Sequence, residues 1–218
     1  YRGAAPINWA IINGEKETGL TTFFINESID TGDIILQSSI KIHHEWHAND
    51  LHDKLMQQSD NIIKQTMQYI LSGCYKVKAQ AKMQKKTTQY ARKINKADFK
   101  TDGFFWETKT IKEIYNFIKG MSPPGLKMNI VIHEKSNKNI NKNIIITRVG
   151  NYKKATTHNH QTQKIYMKID KKNQIIITNG IAAFNIKHLK IEGGKELSAQ
   201  DFYNGFLNKN IKSISICK

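Results

Sequence analysis

The tetrapeptide Ser122-Pro123-Pro124-Gly125 constrains the fold most, because two consecutive prolines cannot continue a helix. Before this point, apolar residues lie at helical spacing in residues 51–71 and 111–118. Beyond it, short apolar stretches alternate with polar turns, which predicts strands and favours a small β-barrel or sandwich. Residues 137–143, rich in Asn and Lys, predict a long solvated loop. The predicted strands cover residues 128–133, 144–149, 164–169, 174–178 and 182–189.

The first fifty residues predict a strand–loop–strand unit. Residues 20–25 are rich in β-branched and aromatic side chains and predict a buried strand, and residues 34–42 predict a second strand. The polar segment 26–32 between them contains Asp30-Thr31-Gly32 and predicts a loop. An Asp in this position is typical of a turn residue that bonds its own backbone, so the triplet alone does not indicate catalysis.

Three helices are predicted from periodicity and capping signals. The longest begins at Asn49 or Asp50 and ends at Gly73. A second, amphipathic helix covers residues 111–118 and ends before the proline pair. A third, short helix begins at the capping-box pattern of residues 198–201.

The net charge of +16 is unevenly distributed along the chain. Residues 1–74 hold 5 Lys or Arg against 9 Asp or Glu, whereas residues 75–218 hold 29 against 9. A part this basic indicates a polyanionic partner, of which nucleic acid is the commonest. The chain is also rich in Lys, Asn and Ile, and genomic base composition produces such a bias without selection for binding.

Residues 75–96 hold 8 basic residues and no acidic one, with poor periodicity, and we interpret residues 76–96 as a linker. Such a run of cations repels itself unless a polyanion lies nearby, although an ordinary solvated surface remains the alternative. We predict nucleic-acid contacts from the basic side chains of this segment. They are Lys76, Lys78, Lys82, Lys85, Lys86, Arg92, Lys93 and Lys96.

No metal, disulfide or membrane-spanning segment is predicted. The histidines of residues 43–47 and His52 lack the spacing of a zinc motif and an obvious fourth ligand, so a solvated loop is favoured. Cys74 and Cys217 fit no metal or redox spacing and predict free thiols in a reducing cytosol. No apolar run approaches the roughly 18 residues that a membrane helix needs.

Five segments resemble the folate-dependent formyltransferase family, most closely the methionyl-tRNA formyltransferases, and they follow the order of the family. The agreement runs from one end of the chain to the other, which a chance match at a single Asp-Thr-Gly does not explain. The segments are Arg2-Gly3-Ala4-Ala5-Pro6-Ile7, Ile29-Asp30-Thr31-Gly32-Asp33, Leu51-His52-Asp53-Lys54-Leu55, Glu192-Gly193-Gly194-Lys195 and Ser198-Ala199-Gln200-Asp201-Phe202-Tyr203-Asn204-Gly205.

The resemblance implies an α/β plus β architecture. Residues 1–75 would be the second half of a Rossmann-like formyltransferase domain, residues 76–96 a basic linker and residues 97–218 an OB-like β-barrel. It also implies that 10-formyltetrahydrofolate donates a formyl group to the α-amine of initiator methionyl-tRNA, without a metal. The enzyme would be a cytoplasmic monomer with no membrane contact, and the basic side chains above would bind the tRNA.

The resemblance also implies roles for single residues. Asp30 would hold the family's catalytic histidine in its useful protonation state and would help to carry away the proton of the attacking amine. Five other residues would lie near the folate-binding loop. They are Arg2, Gly3, Ala4, Pro6 and Gly32.

The family's catalytic Asn and His and its Ser-Leu-Leu-Pro folate turn lie just upstream of the position of Tyr1. We therefore expect the chain to be an incomplete fragment, from either a truncated record or a truncated gene. One alternative is a catalytically inactive remnant that only binds tRNA or another RNA. Another is a formyltransferase for a different amine such as a UDP-amino sugar, or the related hydrolase domain of formyltetrahydrofolate dehydrogenase. The basic charge argues against these last two, because neither substrate is a large polyanion.

We predict that residues 1–218 alone do not formylate methionyl-tRNA, because two of the three catalytic groups that the family uses are not among them. The measurement is a formylation assay with 10-formyltetrahydrofolate as the donor. Turnover in the ordinary enzymatic range of about 1–1,000 per second would contradict the prediction.

Overall fold

The computed structural model describes residues 1–80, 90–154, 164–207 and 211–217. The chain divides into a first unit of Tyr1–Ala10 and Glu15–Ile94 and a second unit of Ile11–Gly14 and Asn95–Lys218. Helices and a two-stranded hairpin characterise the first unit, and an antiparallel sheet characterises the second. The prediction of an α/β part followed by a mainly β part is therefore confirmed.

The first unit is built on an antiparallel hairpin, in which Glu17 pairs with Lys41 at the open end and Phe23 pairs with Ile34 near the loop. A separate two-residue parallel pair joins Arg2 to Tyr90 and Gly3 to Ala91. Before residue 95 the strands and α-helices are β1 (Arg2–Gly3), α1 (Pro6–Ile12), β2 (Glu17–Phe23), β3 (Ile34–Lys41), α2 (Ala48–Leu71) and β4 (Tyr90–Ala91).

Helix α2 covers one face of the β2–β3 hairpin. Its buried side chains include Leu51, Leu55 and Ile62, and the Thr66 hydroxyl lies 2.9 Å from the hydroxyl of Thr22 on β2. The prediction that residues 20–25 form a buried strand was wrong in its burial. Half-buried and exposed residues alternate along β2 because only one face of the hairpin is covered.

The ends of α2 follow the capping signals to within two residues. The helix begins at Ala48 rather than at Asn49 or Asp50, and the Asp50 carboxylate accepts a hydrogen bond from the His47 backbone N–H at 2.9 Å. After the helix ends at Leu71, Gly73 adopts a φ of +68°, a left-handed conformation that favours glycine. The predicted end is confirmed.

The second unit contains an antiparallel sheet in the order β11-β5-β6-β9-β8-β7, with β10 paired to β9. The two end strands, β7 and β11, lie against each other, so the sheet nearly closes into a barrel. Irregularities in the β6–β9 pairing allow the 16-residue strand β6 to bend around the core. The elements are α3 (Gly103–Thr108), α4 (Ile111–Gly120), β5 (Leu126–Glu134), β6 (Asn139–Lys154), β7 (Tyr166–Ile169), β8 (Ile175–Thr178), β9 (Ala182–Ile191), β10 (Leu197–Ser198), α5 (Ala199–Phe202) and β11 (Ile211–Ile216).

Helix α4 packs on β6 and β9 and confirms the predicted amphipathic helix. Ile114, Tyr115 and Ile118 are completely buried, and the Tyr115 ring lies 5.4 Å from that of Phe184 on β9. No helix in the described ranges is long and apolar enough to cross a membrane.

The expected long loop at residues 137–143 was wrong, because strand β6 already begins at Asn139. Ile140 is half-buried and pairs with Ile132, whereas the Asn residues on either side of it are exposed. This alternation is the pattern of a half-buried strand, which the biased composition concealed.

Candidate functional site

The loop between β2 and β3 carries Asp30 on a turn that other side chains form. Asn26 Oδ1 accepts hydrogen bonds from the Ser28 backbone N–H at 3.2 Å and from the Thr31 hydroxyl at 2.8 Å. Asp30 has a φ of +54°, and its side chain is exposed. Because the turn is bonded through Asn26 and Thr31, the carboxylate of Asp30 remains accessible to another partner.

Gly32 closes this loop at a point where two backbone segments meet. A Cβ atom on Gly32 would lie 1.5 Å from the Phe24 carbonyl oxygen, and the Phe24 N–H donates to the Asp33 carbonyl at 2.9 Å. No side chain can be placed at residue 32 unless the backbone shifts. The close approach therefore explains, on steric grounds, why the third residue of the Asp-Thr-Gly triplet is glycine.

The Arg2-Gly3-Ala4 segment is held against residues 90–92. Gly3 has a φ of +125°, and a Cβ there would lie 2.3 Å from the Ala91 carbonyl oxygen. Further along, the Trp9 indole N–H donates to the Arg92 carbonyl at 2.9 Å, and the Arg92 guanidinium lies 5.2 Å from the centre of the Trp9 ring. Ala4 and Pro6 are exposed.

Gln80 joins the two predicted segments within the first unit. The Arg2 guanidinium donates a hydrogen bond to Gln80 Oε1, and Gln80 Nε2 donates to the Gly32 carbonyl at 2.6 Å. Only 8% of Gln80 is exposed. Ile34 and Lys78 exchange two backbone hydrogen bonds of 2.9 Å, which hold the segment before Gln80 beside the loop. Sequence analysis missed this residue, because a Gln within a lysine-rich run carries no motif.

The predicted cationic side chains are exposed wherever the structure describes them. This holds for Lys76, Lys78, Arg92, Lys93 and Lys96. Lys82, Lys85 and Lys86 lie outside the described residues. Exposure leaves these charges accessible to a polyanion, although Arg92 also covers the Trp9 ring.

A second cluster of cations and aromatic rings lies in the second unit. Lys112 Nζ lies 4.5 Å from the centre of the Tyr152 ring, and Lys119 Nζ lies 4.7 Å from that of the buried Tyr115. Burial lowers the pKa of Lys112 and raises that of Tyr152. Because ammonium groups already contact these rings, the cluster is explained by internal cation–π packing and does not require a stacked base.

The expectation of a solvated loop at the histidine-rich residues 43–47 is confirmed only in part. His43 and His44 are exposed, but His47 is buried beside the start of α2, with its Nδ1 3.1 Å from the Glu45 carbonyl oxygen. Among the residues that the structure describes, no group of three or more His, Cys, Asp or Glu side chains is arranged to hold a metal ion.

Two family models match the chain. The model described as "Formyl transferase" matches residues 1–67, and the model described as "Formyl transferase, C-terminal domain" matches residues 93–207. Together they cover the β2–β3 hairpin with its Asp30 loop, most of α2 and nearly all of the barrel-like sheet.

Curated relatives extend the similarity across both units. A protein of Azobacteroides pseudotrichonymphae named "Methionyl-tRNA formyltransferase" is 36% identical over 208 residues, which is 94% of this chain and 61% of the relative. One of the same name from Flavobacterium johnsoniae is 47% identical over 123 residues, which is 56% of this chain and 37% of the relative. The chain thus spans less than two thirds of the length of these relatives.

A solved structure supports the fold. The N-formyltransferase of Helicobacter canadensis, crystallised with folinic acid and dTDP-3-aminofucose, superposes with a TM-score of 0.58 at 22% identity. The match covers 85% of this chain and 61% of that protein. At this level of identity the similarity concerns the fold alone.

We predict that Gly32→Ala destabilises the first unit by about 1–3 kcal/mol, because the new methyl group overlaps the Phe24 carbonyl. The control is Gly205→Ala, where a Cβ would meet nothing within 4 Å, and its expected effect is within about 0.5 kcal/mol. The measurement is chemical denaturation followed by circular dichroism. Equal effects of the two substitutions would contradict the close approach at Gly32.

Proposed function

The chain belongs to the formyl transferase family, and from this premise we propose that the whole protein transfers a formyl group from 10-formyltetrahydrofolate to the α-amine of initiator methionyl-tRNA. By the whole protein we mean residues 1–218 together with any sequence that adjoins them. The observation that carries the proposal is the accessible Asp30 carboxylate on a loop closed by Gly32, within a segment that matches the family.

The reaction is an acyl transfer in which the attacking amine, the formyl group and the N10 leaving group are all neutral at the start. The amine nitrogen of methionine bonds to the formyl carbon, the carbonyl oxygen takes up negative charge, and the bond from that carbon to N10 of the folate then breaks. The amine loses a proton and N10 gains one. The reaction therefore needs a group that moves a proton and a group that stabilises an oxyanion.

We assign the first of these tasks to Asp30, acting together with a histidine of the family's catalytic set. Asp30 has a left-handed backbone conformation and an exposed carboxylate. The side chain that accepts a hydrogen bond from the loop backbone, from the Ser28 N–H, is that of Asn26. A carboxylate that is not committed to the turn can hold a neighbouring imidazole in one protonation state and can assist the departure of the amine proton. We place Arg2, Gly3, Ala4, Pro6 and Gly32 near the folate donor, on the resemblance described above.

We further propose that the first unit forms half of a Rossmann-like domain and that the second unit is an OB-like barrel. An antiparallel sheet that nearly closes on itself supports the second assignment, because OB folds are small, partly open barrels of this kind. We assign residues 76–96 to a basic linker. A cytoplasmic, monomeric enzyme is the simplest form for an activity on aminoacylated tRNA.

The acceptor distinguishes the proposal from its alternatives. The basic surface favours tRNA over a sugar nucleotide, because cations spread over many residues match a polymer of phosphates. A comparison of methionyl-tRNA, unacylated tRNA and a nucleotide-linked amino sugar as substrates tests this choice. Formylation of the sugar alone would replace the proposal, and RNA binding without formyl transfer would indicate a binding module.

We predict that Asp30→Asn in the whole protein lowers kcat by about 100- to 10,000-fold with little change in KM for methionyl-tRNA. Asn keeps the size and turn propensity of Asp but lacks the negative charge that the proton transfer requires. The control is Asp60→Asn on α2, where an exposed carboxylate pairs with Lys64 at 2.8 Å. A folded Asp30→Asn variant that keeps more than about a tenth of the wild-type kcat would remove the catalytic role.

We predict that tRNA binding weakens steeply with salt and that replacing Lys82, Lys85 and Lys86 by Gln flattens this dependence. For every phosphate that is no longer neutralised by a lysine, the negative slope of log K against log salt should become shallower by about 0.7–0.9. The measurement is tRNA binding at several salt concentrations, with Lys41, Lys54 and Lys64 replaced by Gln as the control for equal charge removal. Equal slopes for the two triple variants would show that the basic segment does not contact the RNA.

A further inference from the structure

Gln80 is the one side chain in the described residues that hydrogen-bonds both to Arg2 and to the Asp30 loop. Its amide oxygen accepts from the Arg2 guanidinium, and its amide nitrogen donates to the Gly32 carbonyl at 2.6 Å. It lies 78 residues from Arg2 and 48 residues from Gly32 in the sequence. With 8% of Gln80 exposed, its bond to Gly32 is buried, and its bond to the half-buried Arg2 is partly buried.

We propose that Gln80 is a positioning residue for formyl transfer, which it serves by fixing the Gly32 peptide and thereby the direction of the Asp30 carboxylate. This inference rests on the proposed function. Gln80 does not touch the reacting atoms in this proposal, and it acts through the loop that carries Asp30.

The chemistry of the site requires an amide at residue 80. One planar group must accept a hydrogen bond from a cation and, at the same time, donate one to a carbonyl. Glu supplies the acceptor for Arg2 but no donor for Gly32, and Met supplies neither. Glu therefore removes the bond to Gly32 alone, whereas Met removes both bonds.

The loop has two fixed ends, and Asp30 lies between them. At the first end, Asn26 Oδ1 accepts hydrogen bonds from the Ser28 N–H and, across Asp30, from the Thr31 hydroxyl. At the second end, the Gly32 carbonyl is held by Gln80 and the Asp33 carbonyl by the Phe24 N–H at 2.9 Å. Gly32 has no side chain of its own to restrict its peptide, so loss of the Gln80 bond allows that peptide to rotate. Rotation there changes the direction of a carboxylate only two residues away.

The experiment compares Gln80→Glu and Gln80→Met with the wild type in the whole protein. The matched control is Gln37→Met on β3 of the hairpin that carries the Asp30 loop. It removes an exposed amide that donates to the Thr21 hydroxyl at 3.2 Å. Amide hydrogen exchange of residues 31–34 reports the loop without any substrate. Formylation of methionyl-tRNA gives kcat and KM, and a thermal melt gives stability.

Both Gln80 variants should raise amide exchange in residues 31–34 by about tenfold, as expected for the loss of a buried hydrogen bond. Both should lower kcat by about 10- to 100-fold, with KM for methionyl-tRNA changed less than about threefold, as for an interaction needed mainly in the transition state. Gln80→Glu should keep the contact with Arg2 and melt nearer to the wild type than Gln80→Met does. Gln37→Met should leave exchange and kcat within about twofold of wild type, as a surface substitution does.

A positioning role separates from a purely structural one in the Gln80→Glu variant. If Gln80→Glu has both a melting temperature and a kcat close to those of the wild type, loss of activity follows loss of stability and the positioning role is wrong. If Gln80→Met leaves exchange in residues 31–34 unchanged, the bond to Gly32 does not hold the loop and the inference is overturned. A wild-type protein that forms no formyl-methionyl-tRNA overturns the proposed function and the catalytic part of this inference, whereas the exchange measurement still decides whether Gln80 holds the loop.

Discussion

The close approach of the Phe24 carbonyl to Gly32 is the constraint on which the Asp30 loop depends. At a separation that leaves no room for a Cβ, the two sides of the loop are joined almost backbone to backbone, and the Asp33 carbonyl bonds back to Phe24. Within the loop between these two residues, Asp30 has a φ of +54° and its side chain is exposed. The close approach of Phe24 and the hydrogen bond from Gln80 therefore both act at Gly32, two residues from the Asp30 carboxylate.

The uneven charge separates two tasks along the chain. The acidic part, residues 1–74, carries the loop with Asp30, whereas the basic part carries the cations that we assign to RNA. Exposed cations at moderate salt act over roughly 10 Å and raise affinity without specifying which atoms react. Loss of one cation should therefore change binding, whereas a shifted Asp30 should change the chemical step. The kinetic and binding measurements address different parts of the same proposal.

The sequence predicted the order of the main elements because each has a local signal. Gly73 marked the end of α2, and the proline pair after α4 marked the change to strands. Prediction failed where composition and periodicity conflicted, as around Ile140, where the Asn-rich composition predicts a loop although the alternation of Ile with Asn is that of a strand. At the candidate site, Asp30 and Gly32 were found by resemblance. Gln80 was not, because its importance arises from contacts with residues that are distant in sequence.

The segment before Gln80 combines two properties that sequence analysis treats separately. The backbone of Lys78 exchanges two hydrogen bonds with Ile34 at the end of the loop, whereas its side chain is exposed. RNA bound by the Lys78 ammonium group would thus be attached to the same short stretch that fixes the Gly32 peptide. Lys78→Gln removes the charge and keeps the backbone bonds, while Gln80→Glu keeps the backbone and removes one side-chain bond. Because the two changes act on neighbouring residues through different atoms, an effect of Lys78→Gln on kcat would mean that RNA binding and loop geometry are coupled through this segment.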